Sequence, residues 1–248
     1  MNDPRYSPRT EARAVDPPPE ELIRAGMTAD QAAAERGAFI MKVYGHLVAA
    51  IAAFVGLEVW LFSTGYAESI TRTLLGVNWM LVLGGFMVAG WLARGLASRA
   101  GGLGTQYAGL TLYVAAQAVI FTPLLFVAEH QVGGGVIASA AGITLLGFVG
   151  LTLIVFQTRK DFSFLGGILR WAGIMALIAI GGGVFFGWNL GMWFSVAMIA
   201  VAGGAILYDT SNILRCWPND RYVGAALELF ASVALMFWYI LRLFMSRR

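Results

Sequence analysis

Seven runs of about 20 apolar residues, near 39–62, 77–97, 105–127, 133–157, 164–186, 191–213 and 222–245, decide what this chain can fold into. A helix of that length crosses the hydrocarbon layer of a bilayer. In that layer each backbone N–H and C=O must find its partner within the protein, which leaves helices and closed barrels. The runs are continuously apolar rather than alternating, so a barrel is excluded. The connections are short and often glycine-rich, as at Gly101-Gly102-Leu103-Gly104, Gly133-Gly134-Gly135 and Gly187-Trp188-Asn189. None can hold a soluble catalytic domain. The expectation is an all-α integral membrane protein whose residues 39–248 form one seven-transmembrane-helix bundle, with the lipid bilayer as its first partner.

Composition agrees. Only 12% of residues are charged and 58% are hydrophobic, against about 25% charged in a soluble domain. The single cysteine, Cys216, rules out an internal disulfide and a Cys-rich metal site, and two histidines, His46 and His130, rule out a His-rich one. A net charge of +3 comes from basic residues that flank membrane helices, so no nucleic acid is implied. There is no H-E-x-x-H, no P-loop and no G-x-G-x-x-G after a strand, so no enzyme is expected. Fifteen arginines against two lysines, with many Ala and Gly, suggest a bacterial origin and hence the inner membrane.

The first 38 residues differ. They hold Pro17-Pro18-Pro19, five arginines and seven acids, with no apolar run of a signal peptide. Residues 1–20 read as disordered. Thr28-Ala29-Asp30-Gln31 has capping-box spacing and opens a short helix through Ala32–Arg36 into the membrane. With the N-terminus in the cytoplasm, that side holds twelve basic residues: Arg5, Arg9, Arg13, Arg24, Arg36, Lys42, Arg94, Arg99, Arg159, Lys160, Arg215 and Arg221. The opposite side holds four: Arg72, Arg242, Arg247 and Arg248, while Arg170 lies within the fifth span and counts for neither. The bias places the N-terminus inside and, after seven crossings, the C-terminus outside. The alternative is a last helix that fails to cross, which the basic Arg247-Arg248 end favours.

A charge at membrane depth costs about 2.5–3.5 kcal/mol on insertion scales, which singles out Glu58, Arg94, Asp209, Glu228 and Arg242. Asp209 lies about four residues, or roughly 6 Å, from the cytoplasmic end of the sixth span. Glu228 sits at similar depth in the antiparallel seventh. Close carboxylates do not both ionise easily, which suits a proton sensor or a weak calcium site; the alternative is that both snorkel to the surface. Glu58 and Arg242 lie near the opposite face, where they pair across helices or, the favoured reading, each snorkel outward. Arg94 is an orientation charge or a partner of Asp209. His46 reads as a hydrogen-bonded interior residue. Asn78, Gln117 and Thr144 are candidates for interhelical hydrogen bonds.

Three stretches carry a resemblance: the loop Thr158-Arg159-Lys160-Asp161-Phe162-Ser163-Phe164-Leu165-Gly166-Gly167, the run Ile206-Leu207-Tyr208-Asp209-Thr210-Ser211-Asn212-Ile213, and Ala226-Leu227-Glu228-Leu229 continuing to Tyr239-Ile240-Leu241-Arg242-Leu243. Over about 36–248 the sequence resembles the bacterial branch of the Bax inhibitor-1 family, also called the transmembrane Bax inhibitor motif family. The resemblance implies seven helices with the last one central. It also implies a pH-sensitive calcium leak, gated by two aspartates that share a proton, with a basic residue at the end of helix two pairing with the first. Asp209 matches that first aspartate and Arg94 the basic residue. Ser232 stands where the family has its second aspartate, and Leu235 where it has an asparagine. The acid that some relatives carry in helix two is absent from Met80–Trp91. Glu228, one turn before Ser232 on the same helical face, is the candidate replacement. Two functions follow. One is a proton-sensing cation leak, calcium being the permeant ion and no bound cofactor being needed. The other is a non-conducting regulator that binds a membrane-anchored protease or another membrane protein. A monomer is expected.

Overall fold

The computed structural model describes residues 26, 28–98, 102–133, 135–188 and 190–246. They form α1 (Ala29–Ser63), α2 (Tyr66–Gly76), α3 (Trp79–Ser98), α4 (Leu103–Val127), a π-helical turn (Ala128–Val132), α5 (Val136–Thr158), α6 (Leu165–Phe186), α7 (Met192–Arg215) and α8 (Tyr222–Met245). All except α2 are long and apolar enough to cross a membrane.

The capping box closes as expected. Gln31 N donates to Thr28 Oγ1 at 3.3 Å, and Thr28 N donates to Gln31 Oε1 at 3.0 Å. From there α1 runs unbroken for 35 residues, so residue 38 lies inside a continuous helix rather than at the end of a short one. At 1.5 Å per residue it spans about 52 Å, well beyond the ~30 Å hydrocarbon layer. Its first turns, with Arg36, therefore belong to the N-terminal side of the bundle. The expectation for residues 1–20 lies outside the described residues.

Helix α2 adds an element to the seven expected spans, too short and too polar to stand out as an apolar run. It is short and amphipathic, with Ala67 and Thr71 buried at i, i+4, and it packs on α4. With α1 it forms a hairpin on the far side, where Trp60 meets Tyr66 at 5.5 Å between ring centroids.

Helix α8 is the centre. In its most apolar stretch 78% of residues are buried, against 56% for α4 and 28% or less for the other spans. It packs on α1, α3, α4, α5 and α7. A helix apolar all round belongs inside a bundle, and its small residues let neighbours come close. A Cβ added to Gly224 would stand 3.0 Å from the Ala97 carbonyl of α3. Helix α6 is outermost; it packs on α7 and reaches α8 through Ala176, which clusters with Met198 and Tyr239. At 24 residues, α8 is long enough to cross.

Of the polar residues expected to bond between helices, none does so. Asn78 Oδ1 accepts from Met80 N at 2.9 Å at the start of α3. Thr144 Oγ1 donates to Ala140 O, and Gln117 Nε2 to Tyr113 Oη, each one turn back on its own helix. A local carbonyl or hydroxyl is always within reach of such side chains.

Candidate functional site

Helices α7 and α8 are joined by a tight turn on the N-terminal side, and one arginine fixes it. Arg36, 8% exposed, reaches from α1 to the open end of α7. Its Nη2 donates to Ile213 O at 2.6 Å, its Nε to Leu214 O at 3.3 Å, and its Nη1 to Trp217 O at 2.6 Å and Asn219 Oδ1 at 2.9 Å. The Ile213 and Leu214 carbonyls belong to the last turn of α7, which a helix end leaves without partners. Gln106 of α4 adds a bond from Nε2 to Asp220 O at 3.1 Å. The register of α7 against α8 is thus set from two other helices.

That register places Ser232 of α8 on Asp209 of α7, with Ser232 Oγ donating to Asp209 Oδ2 at 2.6 Å. The distance is typical of a charge-assisted O–H···O⁻ bond. One turn nearer the N-terminal side, Glu228 Oε2 lies 3.3 Å from Arg94 Nε of α3. The Arg94 guanidinium sits 5.8 Å from the centroid of the Tyr113 ring of α4. Asp209 is within electrostatic range of both Glu228 and Arg94.

Two sequence expectations change here. Arg94 pairs with Glu228, not with Asp209, because the longer acid reaches α3 while the short carboxyl of Asp209 is taken by Ser232. Glu228 does not bond to Asp209 either; it faces the base. On the far side, Glu58 and Arg242 do not pair. Glu58 is only 6% exposed, so it does not snorkel, and its nearest hydrogen-bond partner is Thr122 of α4 at 3.4 Å from Oε2. Arg242 donates from Nη2 to Leu190 O at 2.8 Å and lies over the Phe194 ring at 5.9 Å, bracing the connection between α6 and α7.

The loop after α5 supports the same site. Phe162 N donates to Ser211 Oγ at 3.1 Å, two residues beyond Asp209, and Arg215 donates to the Arg159 carbonyl. Ser163 bonds to the Asp161 carboxyl and holds it below the usual carboxylate range. One residue on from Asp209, the buried hydroxyl of Thr210 lies near that of Tyr44, as does that of Thr152, without a hydrogen bond of good geometry at any of the three. His46 bonds Lys42 O at 2.7 Å and Tyr107 Oη at 2.8 Å; it is hydrogen-bonded as expected, but half-buried rather than interior. Among the described residues no three His, Cys, Asp or Glu side chains gather where they could hold a metal ion. The carboxylates and Ser232 supply fewer than the six to eight oxygens that calcium takes in a tight site.

The family sequence pattern described as Inhibitor of apoptosis-promoting Bax1 matches residues 36–248, which include every side chain of this site. The chain belongs to the Bax inhibitor-1 family. Among similar proteins, Bax inhibitor 1 of Schizosaccharomyces pombe is 29% identical over 245 residues, covering 97% of this chain and 88% of its own. The protein named Modulator of FtsH protease YccA from Escherichia coli K12 is 37% identical over 105 residues, 42% of this chain and 48% of its own. The Arabidopsis thaliana protein LIFEGUARD 4 is 31% identical over 118 residues, 45% and 47% of the two chains. The alignments with these last two span about half of each relative. Arg36, the first residue of the family match, is the position framing the site that sequence reasoning missed. Its signal was a lone basic residue ahead of an apolar helix, which reads equally well as an orientation charge.

Proposed function

We propose that the chain is a pH-modulated cation leak of the inner membrane, with calcium as permeant ion and the N-terminus in the cytoplasm. The observation that carries this reading is the pair of polar ties on one side of the central helix: Ser232 to Asp209 of α7 at 2.6 Å, and Glu228 to Arg94 of α3 at 3.3 Å. Each tie is strongest with its carboxylate ionised. A proton on Asp209 turns its charge-assisted bond from Ser232 into a neutral one of roughly half the strength, and a proton on Glu228 removes the ion pair with Arg94. Acidification therefore loosens α8 from α7 and α3 together. Here Glu228 replaces the missing second aspartate by engaging the base, while Ser232 takes over the hydrogen bond to Asp209.

The test is calcium flux in proteoliposomes as the pH falls from about 8 to about 6. Flux rises with acidity in the unaltered protein. Glu228→Gln breaks the ion pair and raises flux across the range. Asp209→Asn keeps a hydrogen bond but cannot titrate, which flattens the pH dependence. Ser232→Asp restores a carboxylate pair that shares one proton and shifts the midpoint. Four identical curves sink the reading.

A second reading, a non-enzymatic modulator of a membrane-anchored protease, draws on the name of the Escherichia coli relative. Absence of flux at every pH, together with co-purification of a membrane protease, would favour it.

A further inference from the structure

On the far side of the bundle, α1, α4, α5 and α8 leave a cavity of about 400 Å³, within the size range of small-ligand sites. Nearer the N-terminal side, α1 and α5 meet through Tyr44, whose ring lies 6.3 Å from that of Phe148 and 6.0 Å from that of Phe156. Farther along the two helices, residues of both line the cavity. Its back wall is apolar, built from Phe54, Phe121, Phe230, Val233 and Phe237. Its rim is formed by Val55, Val59 and Leu145, all exposed on the lipid-facing surface, so the opening faces the bilayer.

Two acids break this apolar lining. Glu58 is more than nine-tenths buried, and its Oε1 has no hydrogen-bond partner among the described residues. Its Oε2 has only Thr122 Oγ1 at 3.4 Å, and that hydroxyl already donates its one proton to Ala118 O at 2.8 Å. Glu129, exposed on the π-helical turn, lines the same cavity. Among the described residues no Lys, Arg or His forms an ion pair with either acid. A carboxyl left without donors at membrane depth is costly. Glu58 lies five residues before the end of α1, about 8 Å along the helix, where lipid heads give way to chains.

We propose that this cavity binds a bilayer lipid with a primary-ammonium head, its acyl chain against the phenylalanines and its ammonium on Glu58 and Glu129. An ammonium brings three N–H donors and a positive charge to the unserved Glu58 carboxyl and to the exposed Glu129 beside it. A quaternary head has the charge but no donor, and an anionic head meets repulsion. An acyl chain fills a crevice that faces lipid and offers almost no polar surface.

The test is native mass spectrometry of the full chain in detergent with added phosphatidylethanolamine, phosphatidylcholine or phosphatidylglycerol. The expected result is a preference of about tenfold for phosphatidylethanolamine over the other two, about 1.4 kcal/mol. Glu58→Gln abolishes the preference and Glu129→Gln reduces it. Val59→Trp at the rim lowers retention of all three lipids. Equal binding of the three lipids by the unaltered protein overturns the proposal, as does a preference that survives Glu58→Gln. If Glu58→Gln fails to fold, the exposed positions decide: an unchanged preference in Glu129→Gln with unchanged retention in Val59→Trp also overturns it.

Discussion

At the scale of single residues, two side chains do more than their chemistry alone suggests. Arg36 lies at the mouth of the bundle and satisfies two carbonyls in the last turn of another helix and one just beyond it. Replacing it leaves those acceptors without donors in a buried place, so Arg36→Ala is expected to cost about 2–4 kcal/mol. The measurement is a lowered melting temperature in detergent; Arg36→Lys, with a point charge in place of a fork, recovers only part of it. A melting curve unchanged in Arg36→Ala would refute the capping role. Ser232 is the other. Ser232→Ala removes the donor to Asp209, at a cost of about 1–3 kcal/mol, and the same melting assay reads it. Ser232→Thr keeps the hydroxyl and should stay close to the unaltered protein.

At the scale of helices, α3 and α4 come into backbone contact at Gly109. A Cβ on Gly109 would stand 2.5 Å from the Ala93 carbonyl and 2.8 Å from Ala97 N, so backbone blocks it. Gly182 meets an even nearer neighbour, but that is the Trp188 ring, a side chain that can swing away. Gly109→Ala is therefore expected to destabilise the bundle by about 1–3 kcal/mol or more, and Gly182→Ala by less. Thermal unfolding of the two variants side by side checks the order; the reverse order would show that the ring is the more rigid obstacle. Because α3 also carries Arg94, a displaced α3 should weaken the tie to Glu228. Gly109→Ala should then raise calcium flux as Glu228→Gln does.

At the scale of the whole molecule, the number of crossings fixes where the ends lie. Seven alternating spans put the start of α1 and the end of α8 on opposite sides. A phosphatase active only outside the cytoplasm, fused after residue 248, is expected to be active, and a fluorescent protein that matures only in the cytoplasm is expected to stay dark there. The opposite pattern would show that α8 turns back. Removing residues 1–20 should leave insertion and melting unchanged, since the capping box at Thr28 and the Arg36 contacts lie beyond the cut. Loss of insertion would reveal a role for the tail.

The sequence by itself determined the seven spans, their approximate limits and the capping box at Thr28. Each of these is a local property, read from continuous apolar length or from a four-residue spacing. It also brought Asp209, Glu228, Ser232 and Arg94 to one depth, because depth along a helix follows from counting residues. Which acid takes which partner was decided only by the tertiary structure. Depth says nothing of rotation about a helix axis, and side-chain length then chose Arg94 for Glu228 and Ser232 for Asp209. The same limit hid the separation of Glu58 from Arg242, which share a depth but face different neighbours. Helix α2 escaped because an amphipathic helix along the surface needs no long apolar run. Arg36 escaped because its partners are backbone carbonyls about 180 residues away, and any residue type can supply a carbonyl.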